Sequence, residues 1–350
     1  MFKRIAAVGV GLCLVAACSG STSSGSPDGG GTGSSGGGSG SGGGGTTVAQ
    51  AAADRANAYC AKLSTCAPEA IQRDYGSQAT CVTRYTAYEL SALNAPSTGN
   101  TPETSEACTA AYAGWACTDF LDAQNIPAAC VQKTGGIATG SACAFSGQCQ
   151  TGFCAIAPHT LCGVCATVPA AGDSCATQGC GQGLSCTSDT QTCVVLGTTG
   201  ATCGKGYLCG DDFVCVGANT TTGVTGTCQP AVATAGAACD PENKTGPGCD
   251  HAQLLTCNTQ SKTCAALTMA AGGQPCGTNV VDDQTAICAA EGTCTGATST
   301  AAGTCTASAA DGQACDTANG PACLSLSVCV VTEDGGTAGT CTPEGSVTCQ

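Results

Sequence analysis

Apolar and polar positions divide the chain into four stretches with different expected structures. Lys3 and Arg4 precede a run of apolar and small residues from Ile5 to Ala17. Thirteen residues of helix rise roughly 20 Å, too short for a hydrocarbon core of about 30 Å, so the run reads as a secretory signal and not as a membrane span. From Ser19 to Thr47 apolar positions vanish: 14 of these 29 residues are Gly and nine are Ser. Such a segment buries nothing and predicts a flexible tether with an r.m.s. reach of about 30 Å. Between 48 and 133 large apolar residues return at helical spacing. "VAQAAADRANAYCAKLSTC" places Tyr59, Cys60 and Leu63 together, and "SQATCVTRYTAYELSAL" places Cys81, Tyr85 and Tyr88 on one face. "TPETSEACTAAYAGWAC" opens with Thr101 as a cap and Pro102 at the first helical position, and Asp119 to Ala123 predicts a last short helix before Pro127. Beyond 140 the large side chains thin out and cysteine takes the regular positions. "YLCGDDFVCVG" and "LSVCVV" predict two-stranded ribbons with brief turns.

Composition sharpens the contrast between the last two stretches. Trp115 and five tyrosines (Tyr59, Tyr75, Tyr85, Tyr88, Tyr112) fall in the helical stretch, where they are expected to pack a core. From 140 to 350, Ile, Leu, Val and Phe total 28 of 211 residues, while 26 are cysteine. That balance cannot support a conventional core and predicts a scaffold held by disulfides. The expected fold is therefore a set of small disulfide-rich modules in tandem, with short β-hairpins and little core. A small α-helical, disulfide-bonded domain at residues 48–135 precedes them, with six cysteines: Cys60, Cys66, Cys81, Cys108, Cys117 and Cys130. Six cysteines allow 15 pairings, and spacing does not choose among them.

The modules are written as a repeat. Six times a Gly stands three residues before a cysteine: Gly140–Cys143, Gly172–Cys175, Gly200–Cys203, Gly236–Cys239, Gly273–Cys276 and Gly312–Cys315. The first unit continues with Cys149, Cys154, Cys162 and Cys165. The other five hold four cysteines each. Unit two has Cys175, Cys180, Cys186 and Cys193; unit three has Cys203, Cys209, Cys215 and Cys228. Unit four has Cys239, Cys249, Cys257 and Cys264; unit five has Cys276, Cys288, Cys294 and Cys305. Unit six has Cys315, Cys323, Cys329 and Cys341, and Cys349 follows it. All of these are expected to be structural disulfide cysteines, with the pairing open. In four of these five units, five residues separate the second cysteine from the third, and Thr precedes the fourth cysteine in all five. The Gly suits turns that need positive φ.

Two segments carry family resemblances. The junction LVAAC, with Leu14 to Ala17 before Cys18, resembles the lipobox of bacterial lipoproteins. That resemblance implies removal of residues 1–17, which takes Cys13 away, acylation of Cys18, and a bilayer as partner through that lipid. With Ser19 following, it implies an outer membrane or cell surface of a bacterial envelope. Residues 143–193, including the Cys162-x2-Cys165 pair and the run Cys175, Cys180, Cys186, Cys193, resemble the Dickkopf N-terminal cysteine-rich domain. They depart from it in having a single Cys180 where that family has two adjacent cysteines. The whole arrangement is similar to cysteine-rich lipoproteins of myxobacteria. The resulting division is 1–17 signal, 18–47 lipidated cysteine and tether, 48–135 helical domain, 136–199 Dickkopf-like units, and 200–350 further repeats.

Parity then constrains the pairing. Discarding Cys13 and acylating Cys18 leaves 34 − 2 = 32 thiols, an even number. Residues 143–193 hold nine cysteines and residues 203–349 hold 17, both odd. If every thiol pairs within the chain, at least one bridge must leave the first block, either to an adjacent repeat or as a longer clasp to Cys349.

The chemistry the residues could carry is sparse. Cys162-x2-Cys165 is the one C-x2-C, so a zinc ribbon lacks its second knuckle, and disulfides are the expected use of cysteine. His159 and His251 are the two histidines, no nucleophile or phosphate-loop motif occurs, and no cofactor, metal or catalytic residue is expected. Asp211-Asp212, Asp282-Asp283 and "DPEN" at 240–243 are expected to be solvated turns rather than calcium ligands, and His251 beside Asp250 a solvated pair. The mature chain has 8 basic and 24 acidic residues, 8 − 24 = −16, which disfavours nucleic acid. The expected function is a non-enzymatic envelope lipoprotein whose rod-like repeats form a structural or protein-binding array. The alternative is an enzyme regulator such as a protease inhibitor, presenting the loops Cys276–Cys288 or Cys329–Cys341. Metal capture is a third, weaker reading.

Overall fold

Helices come first and take the places that capping and spacing predict. A computed structural model describes residues 45–219, 221–278, 285–298, 301–331 and 336–349; the signal, Cys18 and most of the tether lie outside these. Helix α1 runs Val48–Cys66, with the Thr47 hydroxyl accepting from the Gln50 N–H at 3.1 Å. Its buried positions Ala51, Ala52, Ala56, Cys60, Leu63 and Cys66 recur every three to four residues and form one face. A short turn, α2 (Pro68–Ala70), passes into a π-helical turn at Ile71–Tyr75 that ends at Gly76. Helix α3 (Gln78–Asn94) is capped by Ser77, and α4 (Pro102–Ala111) by Thr101 in a reciprocal capping box with Thr104. The last, α5 (Cys117–Leu121), lies two residues earlier than the sequence suggests.

These helices form a hub around aromatic rings. Tyr59 stacks on Tyr85 with centroids 4.3 Å apart, and Phe120 meets Tyr112 and Trp115 edge-on at 5.8 and 5.4 Å. The tyrosines and Trp115 thus pack the core as expected. Three bridges lock the hub: Cys60–Cys81 ties α1 to α3, Cys66–Cys117 ties α1 to α5, and Cys108–Cys130 holds α4 to the exit segment. Beside the rings, Arg55 of α1 reaches Glu89 of α3 at 3.3 Å, and Glu89 is buried. Burial pushes the Glu89 carboxyl up, while Arg55 and a hydrogen bond from Tyr85 pull it back.

Six disulfide modules follow, all wired alike. Leaving Cys162 aside in unit one, the first cysteine pairs with the third and the second with the fourth. Units one to three are closed by Cys143–Cys154 and Cys149–Cys165, by Cys175–Cys186 and Cys180–Cys193, and by Cys203–Cys215 and Cys209–Cys228. Units four to six follow with Cys239–Cys257 and Cys249–Cys264, Cys276–Cys294 and Cys288–Cys305, and Cys315–Cys329 and Cys323–Cys341. The hairpin explains this order. Third and fourth cysteines stand directly opposite each other in antiparallel register in all six: Cys154↔Cys165, Cys186↔Cys193, Cys215↔Cys228, Cys257↔Cys264, Cys294↔Cys305 and Cys329↔Cys341. Opposed residues share a face, so both sulfurs point the same way and reach the first and second cysteines lying beneath.

In units one, three and six, the strand of the fourth cysteine sits in the middle of three. In unit six it is Ala338–Pro343, between Ala314–Asp316 and Ser327–Val331. Units two and four keep the hairpin and reduce the first strand to one bridge, Ser174↔Thr192 and Ala238↔Thr263. The second cysteine pairs in parallel with the segment that enters its unit: Ile137↔Cys149, Gly197↔Cys209, Val232↔Cys249 and Ala309↔Cys323. Cys323 is thereby held twice, by this backbone bridge and by its bond to Cys341. Unit five extends the same pairing into a strand, Thr268–Ala270 beside Thr285–Cys288, with Ala270 opposite Cys288.

The repeated Gly closes each unit. Its N–H donates to the fourth cysteine's carbonyl, and that cysteine's N–H donates to the carbonyl of the residue after the Gly, all at 2.7–2.9 Å. All six glycines have φ between 78° and 93°, with no heavy atom within 4 Å of where a Cβ would lie. Backbone conformation, not space, therefore requires Gly there. Buried side chains inside a unit are mostly its own cysteines. Unit two gathers Cys175, Cys180, Cys186 and Cys193 around Leu184, and unit six gathers Cys315, Cys323, Cys329 and Cys341 with Ala309. Each bridge closing a loop of about 15 residues contributes roughly 3 kcal/mol in the chain-entropy model, which stands in for the missing core.

The units do not extend as a rod. They wrap the hub in sequence order, and the hub core takes in Phe145 of unit one and Leu326 of unit six, with Ala252 of unit four and Cys349 packed against it. Cys162 is bridged to Cys349 across a sequence separation of 187, so first unit and chain end meet. The separations of the other bridges run from 11 to 51. The expected rod is replaced by a closed belt because each unit, poor in apolar surface of its own, buries a loop against the apolar hub.

Candidate functional site

Five of the six seams between belt and hub use the same part of the module. The loop between second and third cysteines carries the hub contact in units two to six. In unit two, the Gly183 carbonyl accepts from the Gln124 side chain at 2.7 Å. Unit three offers Asp211 and Asp212: the Asp211 N–H donates to Asp122 at 2.8 Å, and the Thr118 hydroxyl donates to Asp212 at 2.7 Å. In unit four, the Ala252 carbonyl accepts from the Glu69 N–H and the Gln253 amide donates to the Cys66 carbonyl at 2.8 Å. Unit five donates from the Ala290 and Glu291 N–H groups to the carbonyls of Gln72 and Arg73, at 2.9 and 2.6 Å. In unit six, the loop between Cys323 and Cys329 places the Leu324 and Ser325 carbonyls, Leu326 and Ser327 around Arg84. Unit one docks instead through the loop before its second cysteine, where Gln148 donates to the Pro96 carbonyl at 3.0 Å and Phe145 meets Tyr88 edge-on at 5.4 Å.

The five-residue spacing of that loop in units two, three, five and six thus reaches the hub. Several of its residues adopt positive φ to turn inward: Gly183, Leu254, Ala290, Glu291 and Leu326. Unit four, with a longer loop, is the one unit of the five that departs in length.

Charge gathers at three seams: that of unit five, where Arg73 pairs with Glu69 and Asp74 beside Glu291, and those of units six and three. Arg84 is buried (6% exposed) and grips unit six, with one nitrogen 3.1 Å from Asp311 and 2.9 Å from the Ser327 hydroxyl. The seam of unit three is acidic. Packing against the hub desolvates the Asp211 carboxyl, Asp122 and Asp212 add like charge, and its pKa is pushed up to about 7, although part of the residue faces water. Asp122 is buried, and the same crowding raises it, again with burial as the larger cause. Gly210 permits the approach, because a Cβ there would fall on the Asp122 carboxylate. Beside this seam an open crevice of about 680 Å³ lies between hub and units three and four, lined by Cys66, Cys117, Asp212, Ala231, Asp250 and Gln253 among others.

One expectation about turns is corrected here and another is extended. Asp211-Asp212 is a turn with Asp211 exposed, as expected, and it also docks, through the Asp211 N–H and the Asp212 carboxylate. Asp250 is buried (8% exposed) and accepts from the Gln253 N–H, while its neighbour His251 stays exposed. "DPEN" is a turn as expected: Asp240 accepts from the backbone N–H groups of Glu242, Lys244 and Thr245, which hold its carboxyl well below the usual range. Asp282-Asp283 lies outside the described residues. So do residues 279–284 and 332–335, which form the middle of the loops Cys276–Cys288 and Cys329–Cys341.

The cysteines meet in threes, for instance Cys143, Cys149 and Cys165, whose sulfurs all lie within 4.8 Å of one another. Each group consists of a unit's two bridges lying side by side, and a disulfide sulfur has no thiolate to give a metal. Cys162 and Cys165, adjacent in the C-x2-C, go to different partners: Cys349 and Cys149.

Sequence reasoning identified every bridged cysteine and missed Arg84, Asp122 and Gln253, which hold the belt. The fixed loop length was the available signal for their partners. Neither a protein-family model, nor a curated protein, nor a solved structure matches this chain. What the chain shows by itself is a disulfide-rich repeat protein of the kind found in oxidising, extracytoplasmic surroundings. Among the described residues, no helix is long and apolar enough to cross a membrane.

Proposed function

We propose that this is a non-enzymatic lipoprotein of a bacterial cell envelope, of the myxobacterial cysteine-rich type. Cys18 is its acylated anchor, the Gly/Ser segment its tether, and the belted head its structural or protein-binding part. One observation carries the reading. The sixteen bridges consume 32 cysteines, from Cys60 to Cys349, so that of the 34 in the chain Cys13 and Cys18 are left, both in the N-terminal segment. A signal that removes Cys13 and a lipid that occupies Cys18 leave no exported thiol unaccounted for. The belt favours a head built for persistence. Its hairpins are cross-linked twice, its loops are docked, and its ends are joined. The Dickkopf-like order of cysteines in residues 143–193 enters this proposal as a likeness of module alone.

Intact mass of the chain from a membrane fraction tests the reading. The expected species begins at Cys18, carries acyl mass, and shows no alkylatable thiol before reduction. Cys18→Ser is expected to leave the chain in the aqueous phase. An unmodified Cys18, or a mature chain beginning elsewhere, overturns the anchor.

A further inference from the structure

We propose that the Cys162–Cys349 bridge is a thiol-exchange site, opened by a dithiol reductant ahead of the other fifteen bridges and releasing the end of the belt. Three observations carry it. The first is access. Cys162 sits exposed on the turn at residues 157–162, and Cys349 is half-buried. Cys294 is the one other exposed cysteine among those described, but its partner Cys276 is fully buried. Attack at Cys294 would expel a thiolate into an apolar interior, where charge is costly. Attack at Cys162 expels Cys349, which packs against the edge of the hub but is only half-buried, so its thiolate is less enclosed than that of Cys276.

The second is what holds the two sulfurs together once the bond is broken. Inside a unit, the third and fourth cysteines are fixed opposite each other by the hairpin, and the neighbouring bridge holds the remaining pair. A reduced pair there stays in place and recloses. Cys349 instead lies beyond the last strand, in a tail after Pro343 that pairs with no strand and in which Ser346, Val347 and Thr348 are exposed. That tail rests on unit one and α3 where Gly345 packs close to Phe145 and Ser91. A lower effective concentration of the partner thiol makes a bridge easier to reduce.

The third is independence. Both units joined by the clasp keep two bridges of their own, and unit six keeps its grip on Arg84. Opening the clasp therefore frees the tail without unfolding a module.

The exchange balances as a two-electron transfer. A thiolate of the dithiol attacks Sγ of Cys162, the Cys162–Cys349 bond breaks, and Cys349 leaves as a thiolate that takes up a proton. The second thiol of the reductant then displaces Cys162, which is protonated in turn, and the reductant departs as its own disulfide.

The test uses the full mature chain with limiting dithiothreitol at neutral pH, acid quench, alkylation and peptide mapping. Cys162 and Cys349 are expected to be alkylated first and in equal amounts, while the other thirty cysteines stay bridged. Earlier or simultaneous reduction of a bridge inside a unit, Cys276–Cys294 above all, overturns the proposal. A Cys162→Ser/Cys349→Ser double variant gives a second measure by hydrogen exchange. Protection is expected to fall at residues 157–162 and 343–349 alone. Unchanged protection there, or protection lost throughout the chain, would equally sink it.

Discussion

The guanidinium of Arg84, in the middle of α3, lies 3.1 Å from the carboxylate of Asp311, 227 residues further along the chain. The same side chain donates to the carbonyls of Ser325 and Leu324 and to the Ser327 hydroxyl, which itself donates to Asp311. Unit six is thus assembled around a charge supplied by the hub. Arginine suits this place because its planar donors serve several acceptors at once.

Arg84→Ala is expected to detach unit six. It strips a buried donor from two carbonyls and leaves Asp311 uncompensated, a loss of about 3 kcal/mol for a partly buried pair. Hydrogen exchange should rise from Cys323 to Val331 while the hub stays protected. Arg84→Lys should restore little, since an ammonium cannot reach all of these acceptors. Unchanged exchange in unit six would refute the assignment.

The acidic seam of unit three makes stability depend on pH. The folded Asp211 carboxyl titrates at about 7, above its ordinary value of 3.8. The folded state therefore retains a proton that the unfolded chain has released, and stability falls as pH rises from about 4 to 7, then levels off. Asp211→Asn removes the titration. Calorimetry should find the variant's melting temperature close to wild type at pH 4 and above it at pH 8. A constant difference across that range would count against the seam.

Two glycines should respond differently to alanine. Gly312→Ala meets no atom, but a Cβ disfavours its φ of 78°, so roughly 1 kcal/mol is lost within unit six. Gly210→Ala drives a methyl into the Asp122 carboxylate and should open the seam. Exchange at residues 209–213 should rise for Gly210→Ala and stay unchanged for Gly312→Ala. Equal behaviour of the two would show that the seam does not depend on close approach.

Within the hub, Glu89 is the buried partner of Arg55. Arg55→Met leaves Glu89 without its cation, so burial is expected to push the carboxyl further up and the hub to lose about 3 kcal/mol. The paired change Arg55→Met/Glu89→Met should recover most of that loss. Thermal melts of both variants at pH 7 check this, and a double variant no better than the single one would argue against the pair.

Much of this was legible from spacing. Thr101 and Pro102 mark a helix start because capping depends on residues three apart, and α1 begins and ends where its Ala-rich segment does, while the caps at Thr47 and Ser77 came from the structure. The odd tally of nine cysteines in residues 143–193 required a bridge to leave that block, and Cys349 was one of its possible partners. The pairing within units was not legible, since four cysteines in a row admit three patterns. Cys323 could have joined Cys315, Cys329 or Cys341 on spacing alone, and it joins Cys341. The register Cys329↔Cys341 and its counterparts make that choice, by aiming both sulfurs at the same side.

The sequence by itself determined the modules: six glycine-led turns, their cysteines, six further cysteines on helices and their exits, and a chain too poor in large apolar residues to fold without bridges. These are local matters of backbone freedom, capping and composition. The tertiary structure alone decided that the modules close into a belt. Arg84 with Asp311, Asp122 with Asp211, Gln253 with Cys66 and Cys162 with Cys349 are separated by 89 to 227 residues. Such pairs leave no periodic trace. They follow from the need of core-poor units to bury their loops against the apolar hub.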